Sequence, residues 1–280
     1  MKNELKTVCY DEELNMEAYY FQGIIQPFPN HFHDYYVIGF VESGKRKLCC
    51  KNKEYNLKSG DIFIFNPNDN HGCVQLSDEK FKYISFNIPN GTMHTLTEKI
   101  ENKKYVHKDI VFSKNVISDK EIASYICLLY NLITGTAEKF EKEEMLVIII
   151  NLLLKHCKQQ KANTNNNYEN EIAEICDYIE LNYSQNISLE KLCSIVSLSK
   201  STLLRAFTKE KGITPYKYLQ SVRIIKARKL LEKGISPIDA AMITGFSDQS
   251  HFTRFFNQFT GLSPTAYKRI FKEGENNAKT

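Results

Sequence analysis

The stretch from Ser199 to Tyr267 is written twice. Arg205, Phe207, Gly212, Pro215 and Tyr218 recur as Arg254, Phe256, Gly261, Pro264 and Tyr267, each pair separated by 49 residues. A repeat at fixed offset restricts the possible folds more than composition does. Each copy opens a helix at a small polar residue, carries an Arg on its second turn, stops at a Gly and restarts at Thr-Pro or Ser-Pro. Two copies are too few for a solenoid, so the reading is a pair of small helical modules.

Charge separates this stretch from the rest of the chain. Residues 199–272 hold 14 Lys/Arg against 4 Asp/Glu, a net +10 that leaves −6 for the remainder of a chain whose total is +4. A basic C-terminal region on an acidic remainder points to a polyanion partner for the one and a different task for the other. A length of 280 residues suits two ordinary domains.

The chain before the repeat divides by its punctuation. Residues 1 to about 30 carry little beyond the aromatic group Tyr19, Tyr20 and Phe21 and read as an arm or an opening strand. From His31 to Pro89, turn signals at 42–44, 58–61, 66–70 and 77–79 separate β-branched and aromatic segments, Tyr35–Val41, Ile62–Phe65 and Phe81–Ile88 among them. These are the strands of a small barrel or sandwich. Ser118-Asp-Lys-Glu121 reads as a capping box, followed by Ile122, Tyr125, Ile126, Leu129 and Ile133 on one helical face. A second helix over 138–159 is apolar almost all round at its centre. It serves either its own barrel or a homodimer surface.

The expected architecture is therefore α+β and multidomain. A barrel at about 20–112 and a helical hairpin at about 116–157 make up residues 1–157, a polar linker spans 158–168, and a helical domain fills 169–280. Eight Cys without a Cys-x-x-Cys pair or zinc-finger spacing read as buried, reduced thiols. No apolar run reaches the length of a membrane span, and the chain opens without a signal core, so a cytoplasmic protein without a membrane partner is expected.

Within 169–280 the pattern gives two helix-turn-helix units, about 188–210 and 237–259. In such a unit the second helix enters the major groove with its N-terminal residues at base edges. That selects Lys200, Ser201, Leu204 and Arg205 in the first copy, and Gln249, Ser250, Thr253 and Arg254 in the second. Arg can pair with guanine and Gln with adenine, while Ser, Thr and Leu suit a thymine methyl or a phosphate. One such Arg alone would be an ordinary surface residue; two in matched frames within a +10 region point to DNA. The connector, 215–233, would extend about 28 Å as a helix, near the roughly 34 Å repeat of the duplex. Of its cations Arg223, Lys226, Arg228 and Lys229, some should serve phosphates and others packing; Arg223 and Lys229 are the phosphate candidates.

These residues also carry a family resemblance. Val222–Leu231 (VRIIKARKLL), Ala240–Phe246 (AAMITGF), Ser247–Phe256 (SDQSHFTRFF) and Gly261–Arg269 (GLSPTAYKR) resemble the AraC/XylS family of bacterial transcription regulators. The resemblance implies sequence-specific promoter binding, usually activation, and hence RNA polymerase as a partner. His31-Phe-His33, Gly60-Asp61 and Pro67–His71 resemble the cupin-class barrel that many such regulators carry as a sensor. Metal-binding cupins place a Glu where Val37 stands here. Three readings stay open for these histidines: a zinc or iron site on His31, His33 and His71; an organic effector lined by His31, His33, Tyr35, Tyr36 and His71; or imidazoles hydrogen-bonded within the core. No resident cofactor and no catalytic residue are expected. Two other readings of the whole chain are a cupin-type metalloenzyme with a basic appendage and a constitutive DNA binder on an inert dimerisation barrel.

Overall fold

The structure, a computed structural model, describes residues 4–76, 79–101, 110–157 and 168–277. The chain forms two compact units. Among the described residues, one comprises those within 4–27, 34–69 and 73–157, the other those within 28–33, 70–72 and 168–277. The expected linker at 158–168 lies, except for Tyr168, outside the described residues, as do Ser77 and Asp78 of one turn.

The first half of the chain is built on strands β1 (Leu5–Asp11), β2 (Met16–Ile24), β3 (Phe28–His31), β4 (Tyr35–Ser43), β5 (Arg46–Cys50), β6 (Lys53–Leu57), β7 (Asp61–Phe65), β8 (His71–Gln75) and β9 (Phe81–Pro89). Helix α1 (Asn90–Glu101), strand β10 (Val116–Ser118) and helices α2 (Lys120–Thr134) and α3 (Lys139–Cys157) follow. The strands make two sheets, ordered β1-β2-β9-β4-β7-β10 and β3-β8-β5-β6. This is the sandwich arm of the barrel-or-sandwich expectation.

Strand β4 shows why both faces of the large sheet are apolar. Successive side chains point to opposite faces, so Tyr36 and Ile38 join one core while Tyr35, Val37 and Val41 join the other. The first core is completed by the helices. Ile122, Ile126 and Leu129 of α2 and Leu146, Ile149, Ile150, Leu153 and Cys157 of α3 lie at helical spacing against the sheet residues Met16, Ile64, Ile84 and Phe86. The apolar centre of α3 thus serves its own unit, one of the two uses its sequence allowed. The second core fills with Phe63, Phe65, Phe81 and Leu48. Gly39 makes room there: a Cβ on it would stand 2.0 Å from the Phe63 ring.

The N-terminus takes the strand form of its arm-or-strand expectation, as a paired β1–β2 hairpin in full register from Leu5↔Gln22 to Asp11↔Met16. Two local expectations change. Helix α1 falls inside the stretch expected to be barrel, with Met93 and Leu96 buried on one face. Ser118 does not cap α2. It pairs with Asp61 in the β10–β7 ladder and donates to the Asp61 carboxylate at 2.6 Å, so Asp119 takes the cap and accepts from the backbone N–H of Glu121 and Ile122.

The helical part contains α4 (Glu169–Asn182), α5 (Leu189–Val196), α6 (Lys200–Lys211), α7 (Pro215–Glu232), α8 (Pro237–Ile243), α9 (Gln249–Thr260) and α10 (Pro264–Asn277). The written repeat is also a structural one. Gly212 and Gly261 end α6 and α9 in the same left-handed conformation, φ 70° and 76°. Ser199 and Asp248 cap their starts by accepting from the N–H of Thr202 and His251. Helix α7 is the spine: it touches α4, α6, α8, α9 and α10. Its 12 buried residues, from Pro215 to Leu231, leave little of its circumference open.

Candidate nucleic-acid interface

In each helix-turn-helix pair the apolar face of the second helix decides what its other face shows. Leu203 and Phe207 of α6, and Phe252, Phe256 and Phe259 of α9, are buried. At 3.6 residues per turn this turns Lys200, Ser201, Leu204 and Arg205 outward on α6, and all four are exposed. On α9, Gln249, Ser250 and Arg254 are exposed and Thr253 is half-buried beside them. All four second-copy residues line one shallow, open depression together with Asn257 and Gln258. The last two escaped the sequence reading. Their signal was present, since 253 + 4 and 254 + 4 continue the same face for another turn. The matching positions in α6, 49 residues earlier, are Thr208 and Lys209.

The outward side chains are only lightly tethered. Arg205 donates through Nε to the Ser201 carbonyl at 3.3 Å. Arg254 lies 5.8 Å from the Phe255 ring centroid. Lys200 pairs with Glu190 of α5, a hydrogen bond that raises the ammonium pKa and lowers that of the carboxylate. Both groups of that pair are exposed, so a competing phosphate can displace Glu190 at small cost.

The connector's cations sort differently from expectation. Arg223, a phosphate candidate by sequence, is 9% exposed and spent on structure. It donates to the carbonyls of Tyr183 at 2.7 Å and Gln185 at 2.9 Å. Burial accordingly lowers its pKa. Arg228 is buried as well and donates to the Tyr267 hydroxyl at 3.0 Å. Lys226 lies over the Tyr183 ring at 5.5 Å, whereas Lys229 is exposed on the connector.

The N-terminal candidates also part company. Tyr35 and Tyr36 stand on opposite faces of β4, in different cores, and cannot line one cavity. Tyr36 donates its hydroxyl to the Ile110 carbonyl at 2.7 Å. His31, His33 and His71 do converge, and they do so in the second unit. Burial drives the His31 pKa down to about 3 and that of His33 well below the usual value, with the neighbouring imidazoles adding to both shifts. All three candidate readings of these histidines therefore begin from neutral rings at His31 and His33.

Comparison with known proteins places this geometry. Residues 192–270 match the model of a helix-turn-helix domain, and residues 14–147 match that of the AraC-like ligand binding domain. The chain is 40% identical over 252 residues, 90% of both chains, to an HTH-type transcriptional regulator of Bacillus subtilis, YbfI. This chain belongs to the AraC family. It is a transcriptional regulator with an N-terminal ligand-binding domain and a C-terminal DNA-binding domain. HTH-type regulators of Staphylococcus aureus, among them SACOL0084, are 27% identical over 236 residues; these span 83% of this chain and 31% of theirs. The fold of this AraC-family regulator is also that of ToxT from Vibrio cholerae: TM-score 0.55, 16% identity, 91% of this chain and 98% of that one. ToxT has also been solved with an unsaturated fatty acid bound. Among the described residues no helix is long and apolar enough to cross a membrane.

Proposed function

We propose that this regulator reads a bipartite promoter site with α6 and α9 in successive major grooves. The observation that carries the reading is the shallow depression on α9, where Gln249, Ser250, Thr253, Arg254, Asn257 and Gln258 lie side by side along about three helical turns, each with a side-chain hydrogen-bonding group. Arg254 and Gln249 are the bidentate readers, for guanine and adenine respectively. Helix α6 reads less by hydrogen bonds, because Leu204, 36% exposed, occupies the place that Thr253 has in α9. Leu204 suits a thymine methyl, with Lys200, Ser201 and Arg205 around it. Lys229 serves phosphates; Arg223 does not.

The N-terminal unit responds to a small organic effector and passes the response to promoter activation through RNA polymerase. Support comes from the match of residues 14–147 to a ligand-binding model and from the fatty acid found in ToxT, a protein of the same fold. Regulation in place of catalysis fits the relatives, which are transcriptional regulators. Site selection from random DNA with the full-length chain tests the DNA reading. Two recurring half-sites about 10–11 base pairs apart are expected. Recovery of a single half-site, or of no common sequence, would defeat it.

A further inference from the structure

We propose that His31, His33 and His71 form a binding site for a divalent transition-metal ion of the zinc class, lodged in the helical unit against the last turn of α9. The inference goes beyond the DNA reading and does not depend on it.

The geometry is that of three ligands around one point. The ring centroids form a nearly equilateral triangle with sides of 4.6, 4.6 and 5.0 Å. One candidate ligand nitrogen from each ring lies within 4.8 Å of the other two. The Nε2 atoms of His31 and His33 are 3.1 Å apart. Two imidazoles bound to zinc at about 2.0–2.1 Å and a tetrahedral angle would hold their nitrogens about 3.3 Å apart. That pair is thus already at ligand spacing, and a nitrogen of the third ring lies within 4.8 Å of both.

The surroundings orient the first ring. His31 Nδ1 is 2.6 Å from the Pro29 carbonyl, an oxygen that only accepts, so Nδ1 carries the proton and the Nε2 lone pair faces inward. A carbonyl behind a ligating imidazole is the usual way of fixing its tautomer. In the metal-free chain the His33 Nε2–H can donate to that lone pair. On loading, both Nε2 atoms face the ion, and the proton on His33 Nε2 passes to its Nδ1 or to solvent. His31 and His71 are 2% and 6% exposed, and the Phe259 ring of α9 packs on His31 with centroids 4.8 Å apart. The site is therefore dry on that side.

Three imidazole nitrogens, with no carboxylate in the group among the described residues, disfavour magnesium and calcium, which take oxygen ligands, and favour zinc, cobalt, nickel or copper. Val37 does not supply a fourth side: it points into the β-sheet core. The cluster therefore leaves the fourth position of a tetrahedral ion to a ligand from outside it. Arg228 opposes a cation electrostatically but is the smallest of the influences acting on His33, and its guanidinium is bound to Tyr267.

The test uses the full-length chain, reduced and stripped with a chelator. Dialysis against micromolar Zn2+ followed by elemental analysis should give one zinc per chain, and His33→Gln and His71→Gln should each lower occupancy at least tenfold. His251→Gln, a histidine outside the cluster, should leave it unchanged. X-ray absorption at the zinc edge of the wild-type protein provides a second reading that needs no variant to fold, with about three imidazole nitrogens expected. Wild-type uptake no greater than that of His33→Gln, or a first shell dominated by sulfur from the free cysteines, would overturn the site.

Discussion

Arg254 and Lys229 are both exposed cations of the helical unit, yet their loss should be felt differently. Arg254 sits among six hydrogen-bonding residues on the outer face of α9, Lys229 on a connector whose other faces are buried. A bidentate contact to a base discriminates sequence, whereas a phosphate contact does not. Arg254→Ala should cost about 1–3 kcal/mol on the selected site and relax the preference at one base pair. Lys229→Ala should weaken selected and random DNA alike and reduce the slope of log affinity against log salt by about one. Electrophoretic titrations at several salt concentrations distinguish the two. Equal losses on both DNAs for both variants would refute the division into readers and positioners. A second contrast concerns thiols. Burial pushes the Cys50 thiol up to about 12 and Cys9 up to about 11, with Asp69 and Asp11 respectively adding to the rise. Native protein should leave both unmodified by iodoacetamide over a time in which the unfolded chain is fully alkylated, and peptide mass analysis reads the outcome.

At the level of elements, the duplicated modules, their caps and the connector were legible in the sequence because their signals are local. Helical period, a cap residue and a terminal Gly all act within a few positions of one another. Gly245 shows where such reading stops. Its turn was visible, but not that the Ser184 carbonyl would lie 2.5 Å from a Cβ added there, a contact across 61 residues of sequence. Gly234 has nearly the same backbone, φ 83° against 82°, with open space around it. Gly234→Ala should therefore cost about 1 kcal/mol for its left-handed conformation, and Gly245→Ala about 3 kcal/mol or more, with urea midpoints as the measure. The β-unit was less legible for the same reason. Asn66 opens the turn that Asn-Pro-Asn-Asp-Asn predicts, its carbonyl accepting from the Asp69 N–H at 3.0 Å. Its side-chain amide does something the pattern does not show: it pairs with both backbone groups of Phe112, accepting at 2.7 Å and donating at 3.0 Å, while also donating to Asp69. No local pattern announces a partner 46 positions away. Asn66→Ala removes the partner of both Phe112 backbone groups and should destabilise this unit by about 2–4 kcal/mol. Arg223 failed for the opposite reason: its charge suggested a surface, and two backbone carbonyls claimed it.

For the molecule as a whole, the use of two recognition helices depends on how firmly α7 holds them. A helix of 18 residues is about 27 Å long, and this one is packed by α4 and α6 toward its start and by α8, α9 and α10 farther along. Its stiffness comes from burial rather than propensity: Leu219, Val222 and Ile225 belong to the core of the first module, and Arg228 is tied to Tyr267 of α10. A reader with such a spine cannot follow half-sites that move around the duplex. Inserting five base pairs between the selected half-sites rotates one by about half a turn and should reduce affinity to that of a single half-site. Inserting ten restores the facing but not the distance, so affinity should stay low. A flexible pair of domains would tolerate both insertions, because a mobile linker loses effective concentration only slowly with span. Footprinting on the three DNAs separates the two mechanisms: protection of both half-sites at equal protein concentration on all three would show that α7 does not set the spacing.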